Sequence, residues 1–152
     1  MSKPTRPSLR QRVSGPNAVP IAMLVERGAK AAERANSQFQ DFARERVHQL
    51  ELLMAKIAPT APQENWVALE AAVQDLRSSA ATGGQPALSR MARSWEKALS
   101  LPREKETKLV AVMNLHLDAL RNALAHTASA EESRAVAERL EAMVAHLGAA
   151  AP

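Results

Sequence analysis

Apolar residues recur at spacings of three and four through most of this chain, and prolines and glycines cut that rhythm into segments. Such a recurrence brings its members onto one side of an α-helix, whereas a strand would demand alternation. Phe39, Ala43, Val47, Leu50, Met54 and Ile57 carry it through the first segment, with Phe42 and Leu53 widening the stripe. They predict a helix from about Ile21 to Ala58, ended by Pro59 and Pro62, which have no amide hydrogen to continue the ladder. Gly28 weakens its beginning. Trp66, Leu69, Val73, Leu76 and Ala80 predict a second helix from about Gln63 to Thr82, stopped by Gly83-Gly84. A third, from about Pro86 to Ser100, turns Leu88, Met91, Ala92, Trp95 and Leu99 inward, and Pro86 suits a first turn. Behind Pro102 a fourth runs from about Arg103 to His126, burying Leu109, Val112, Met113, His116, Leu120 and Leu124. The fifth begins near Ser129, with Glu132 placed three residues on as a capping box requires. It ends at Leu147, with Gly148 as its stop and Val136, Leu140, Met143, Val144 and Leu147 as its apolar face.

Composition agrees with helices. Hydrophobic residues make up 46% of the chain but aromatics only 3%, with no tyrosine, and strands favour aromatic and β-branched residues. A length of 152 residues suits one domain. The expectation is an all-α, up-and-down four-helix bundle with an additional C-terminal helix over residues 21–148. A disordered arm (1–20) precedes it and a short tail (149–152) follows.

Charge narrows the partners. The net charge is +4, and residues 1–20 contain Lys3, Arg6, Arg10 and Arg12 without an acid. The arm therefore carries the whole excess, and no basic face for nucleic acid is expected on the body. The arm reads first as a solvated tail, and alternatively as an electrostatic arm for an acidic partner or a membrane surface. No apolar run is long enough for membrane insertion. Cysteine is absent, which removes disulfides and thiol chemistry, and no apolar leader follows the basic start, so a cytoplasmic location is expected.

One stretch carries more than packing. Ala72-Val73-Gln74-Asp75-Leu76-Arg77-Ser78-Ser79-Ala80-Ala81-Thr82-Gly83 resembles the signature helix of the histidine-containing phosphotransfer (HPt) family, and His116-Leu117-Asp118-Ala119-Leu120-Arg121 resembles that family's last bundle helix. Across roughly residues 20–147 the order of helices is similar as well. The resemblance implies phosphorelay signalling, with a response-regulator receiver domain or a hybrid histidine kinase as partner and no cofactor. It also places Gln74 where the family holds its phosphorylated histidine, and Ser78 where it holds a glycine. Arg77 keeps the basic residue set near the phosphoryl group. An imidazole nitrogen attacks phosphoaspartate with a basic lone pair. The carboxamide nitrogen of Gln74 is delocalised and has none, so relay through this position is lost while hydrogen bonding remains. Spacing puts Glu70, Ala71, Gln74, Arg77, Ser78 and Ala81 along one outward face, which is the expected binding surface.

Other chemistries compete with this one. Glu70 and Gln74 form an acid–amide pair four residues apart, similar to pairs that orient water against a receiver's phosphoaspartate, so an aspartyl-phosphate phosphatase is an alternative. Enzymatic activity is therefore left open, with Glu70 and Gln74 as the only catalytic candidates. A helical scaffold unrelated to phosphorelay is a third reading. His116 reads as a core histidine, hydrogen-bonded and neutral, and His48, His126 and His146 lack the signature frame. No two histidines stand at the spacing of helical metal ligands, and no phosphate loop is present.

Overall fold

The computed structural model describes residues 19–57, 61–102, 106–125 and 129–149. The described residues are all-α and contain no strand: α1 (Ile21–Met54), α2 (Gln63–Thr82), α3 (Pro86–Leu99), α4 (Glu106–Leu124) and α5 (Ala130–Ala149). The expected disordered arm lies outside the described residues except for Val19 and Pro20, as do residues 150–152 of the tail. So do the helix ends expected at Ala58, Arg103 and His126. The chain divides into two units, residues 1–38 and 39–152.

In the first unit, every position from Ile21 to Gln38 is helical and exposed.

In the second unit the helices bundle around one core. Here α3 is the central element, packed against α2, α4 and α5, and α4 also meets α5. Leu50, Leu69, Leu76, Met91, Trp95, Leu109, Met113 and Leu120 are fully buried. Each such side chain contributes about 1.5–3 kcal/mol by leaving water. The expected stripes of α1 and α2 are buried, except that the flanking Phe42 and Leu53 of α1 are only partly so. Leu99, Val112, Val136 and Met143 reach only partial burial, while Ser94, Ala98, Leu117, Ala119 and Ala137 are buried beyond the expected stripes. These additions are mostly alanine, whose small volume gives little periodic signal but lets helices approach closely.

Chain breaks have local causes. α1 ends at Met54 rather than Ala58, because amide–carbonyl bonds from Lys56 to Leu53 and from Ile57 to Met54 replace the helical ladder. At the end of α2, the Gln85 amide donates to the Ala80 carbonyl at 2.9 Å and the Gly84 amide to Ala81 at 3.3 Å, with Gly84 at φ +69°. That is a Schellman closure around a left-handed glycine. Gly83 has an ordinary φ, but a Cβ there would lie 2.5 Å from Phe39 Cδ2, so the ring of α1 rests on bare backbone. Ser129 and Glu132 bond reciprocally, amide to side chain, at 3.2 and 3.1 Å, and start α5. Gly148 does not stop that helix, which continues to Ala149. A Cβ at Gly148 would meet Leu101 Cδ2 at 3.2 Å, so close approach explains the glycine there.

Candidate functional site

The site expected from sequence lies on the outer side of α2. Val73, Leu76 and Ala80 point inward and are buried, which turns the intervening positions outward. Glu70, Ala71, Gln74, Ser78 and Ala81 are exposed, and Arg77 is half-buried. The six residues therefore do occupy one accessible side of the helix.

Two ion pairs border this face and tie it to its neighbours. Arg46 Nε of α1 lies 3.1 Å from Asp75 Oδ2, and the same guanidinium sits 4.8 Å from the centre of the Phe42 ring. Opposite, Arg77 Nη1 lies 2.7 Å from Glu96 Oε2 of α3, near enough for an ion pair although its N–H is not aimed as a hydrogen bond requires. Ser89 of α3 donates its hydroxyl to the Arg77 carbonyl at 3.3 Å. Arg77 is thus held toward α3 rather than left to extend from the face. Sequence reasoning missed both partners, because Arg46 and Glu96 read as ordinary charged positions on other helices.

Below Gln74 toward the helix end, an open hollow is lined by Phe39, Ser78, Ser79, Thr82 and Gly83. Thr82 donates its hydroxyl to the Ser78 carbonyl at 3.0 Å, so this wall is committed to closing the last turn.

His116 occupies a different environment. It is fully buried between α4 and α3, and its ring centre lies 6.1 Å from that of Trp95. Nδ1 lies 2.7 Å from the Val112 carbonyl oxygen and Nε2 lies 2.8 Å from Ser94 Oγ. A carbonyl only accepts, so Nδ1 carries the proton and the Ser94 hydroxyl donates to Nε2. Burial pushes the imidazole below its ordinary pKa, and the Val112 carbonyl offsets this in part. With both nitrogens engaged and no access to solvent, His116 has no free lone pair for phosphoryl transfer. His48 and His146 are exposed, and His126 lies outside the described residues.

A second polar groove is formed by Arg44, Val47, His48, Glu51, Arg121, Leu124 and Ala125. The Arg121 guanidinium donates to Glu51, holding that carboxyl below its usual range, and also reaches Asp118 at 3.0 Å. The Nδ1 of His48 approaches Glu51 at 3.3 Å. This cluster ties α4 to α1. Among the described residues, no three His, Asp or Glu side chains converge as a metal ion would require.

Compared with protein-family models, curated proteins and solved structures, the chain matches none.

Proposed function

We propose that this chain is a phosphotransfer-like binding protein that engages a response-regulator receiver domain, or a kinase presenting one, without taking its phosphoryl group. The observation that carries the reading is the outward face of α2: Gln74 stands exposed between Glu70 and Ser78, in the sequence frame Gln-Asp-Leu-Arg-Ser-Ser-Ala. Ala71 and Ala81 keep that face shallow, so a partner's backbone can approach closely. Ion pairs join α1 to α2 and α1 to α4, while α3 packs on both α2 and α4. These neighbours are compatible with a four-helix up-and-down plan of the HPt kind, to which α5 is added on α3 and α4.

The chemistry follows from residue 74. A carboxamide donates and accepts hydrogen bonds but does not attack phosphorus under neutral conditions. Bound to a receiver, the chain would block the surface an active phosphotransfer protein uses and would act by competition. Glu70 one turn before Gln74 keeps the phosphatase alternative in view, since both side chains are exposed on one face. In that reading Gln74 orients water for in-line attack, and positioning replaces basicity.

Binding is tested by titrating receiver domains with the chain and with its Ala71→Arg and Ala81→Arg variants. Both positions are exposed, so the fold should persist, as circular dichroism would check. The reading expects saturable binding that both variants weaken at least ten-fold. Binding that is absent, or indifferent to both substitutions, would remove α2 as the docking face.

A further inference from the structure

A separate observation concerns the first unit, and it does not depend on the reading of Gln74. The helix from Ile21 to Gln38 is exposed at every position, yet it is strongly two-sided. At 100° per residue, Ile21, Leu24, Val25, Gly28, Ala31, Ala32 and Ala35 share one half of its circumference. All five of its charges, Glu26, Arg27, Lys30, Glu33 and Arg34, fall on the other half. Three of the four larger apolar side chains, Ile21, Leu24 and Val25, gather at its start on that half, with Ile21 63% and Val25 65% exposed, while Met23 falls on the charged half. A helix with one apolar half expects a cover.

Charge indicates the cover. Residues 1–38 hold seven Lys or Arg against two Glu, whereas residues 39–152 hold thirteen against fourteen Asp or Glu. The entire basic excess of the protein thus sits in the unit that exposes the apolar helix. Lys3, Arg6, Arg10 and Arg12 precede the exposed Ile21–Val25 turn in sequence, with no acid among them. We propose that this unit is an interfacial membrane anchor: the apolar half of residues 21–35 lies in the headgroup region of an anionic lipid surface, and the basic arm binds the lipid charges. One modest apolar face holds a protein to a bilayer only marginally, and a polybasic segment supplies the second signal that makes attachment stable. The helix lies on the surface rather than crossing it, since no described helix is long and apolar enough to span.

The other occupants fit less well. A second copy would have to pair through a stripe that is glycine and alanine beyond Val25, which buries little area toward the ~1,200 Å² of a stable interface. Such a pair would also bring two arms of like charge together. Nucleic acid would use the arm but leave Ile21, Leu24 and Val25 uncovered.

The test is co-sedimentation of the full chain with vesicles of phosphatidylglycerol in phosphatidylcholine and with pure phosphatidylcholine vesicles. The proposal expects binding to the first only, reduced by raised salt. Replacing Lys3, Arg6, Arg10 and Arg12 by Gln should lower the partition coefficient by about five-fold per residue. Leu24→Gln with Val25→Gln should lower it at least ten-fold while leaving helicity unchanged. Equal binding to both vesicles, no binding at low salt, or indifference to the Leu24/Val25 pair would overturn the proposal. A concentration-dependent dimer that the same pair abolishes would overturn it too, in favour of self-association.

Discussion

Gly83 and Gly84 stand side by side but are glycine for different reasons, and that difference is measurable. Gly84 is required by its left-handed backbone, Gly83 by the Phe39 ring laid against it. Gly83→Ala should destabilise the fold by about 1–3 kcal/mol through overpacking, and Phe39→Leu should recover part of the loss. Gly84→Ala should cost about 1–2 kcal/mol that no change at Phe39 recovers. Urea unfolding of the single and double variants checks the coupling. Only the turn role was legible in the sequence, because a close approach between Phe39 and Gly83 leaves no mark in spacing. His116 makes a second prediction at this scale. Its folded pKa is depressed, so below the ordinary histidine range near pH 6.5 the unfolded chain binds a proton the folded chain refuses. The stabilisation from the neutral ring is therefore complete above that range and is lost as pH falls toward the folded value. Melting temperatures taken downward from neutral pH should decline less steeply for His116→Gln than for the natural chain. Ser94→Ala, which strips the hydroxyl from Nε2, should cost about 1–3 kcal/mol at neutral pH. The inward place of His116 was readable from its i+3 and i+4 neighbours, but its bond to Ser94 was not, because the two are 22 residues apart.

At the scale of elements, punctuation was more legible than length. Pro86, the Ser129–Glu132 box and the apolar stripes of α1 and α2 each mark what the structure contains, because local chemistry decides them. Gly148 misled, since a glycine in a last turn reads as a stop until Leu101 is seen above it. Val112 and Met143 were expected inside on periodicity alone but are only partly buried, whereas Leu117 and Ala137 are buried. Ser129→Ala removes an acceptor for the Glu132 amide and should cost about 1 kcal/mol, visible as a lower unfolding midpoint with an unchanged slope. By contrast Arg90, which donates to both Glu141 oxygens at 2.9 and 2.8 Å across α3 and α5, is exposed enough that Arg90→Gln should leave the unfolding midpoint nearly unchanged.

For the whole molecule, two outward features stand apart from the folding of the core. One is the α2 face around Gln74, laid open by the inward turn of Val73, Leu76 and Ala80. The other is the amphipathic helix of the first unit, beside the chain's basic excess in sequence. The first was legible because helical spacing alone places residue 74 one step off the buried stripe. The pairs that border it were not, because Arg46–Asp75 and Arg77–Glu96 join different helices. Under the proposed function, this face recognises a receiver and leaves its phosphate alone. The most direct measurement follows a radiolabelled phosphoryl group on a receiver domain incubated with the chain, beside a competing active phosphotransfer protein. The account predicts an unchanged half-life of the phosphoreceiver, no label on the chain, and slower transfer to the competitor. Label arriving on the chain, or accelerated loss of phosphate that Gln74→Ala abolishes, would contradict it.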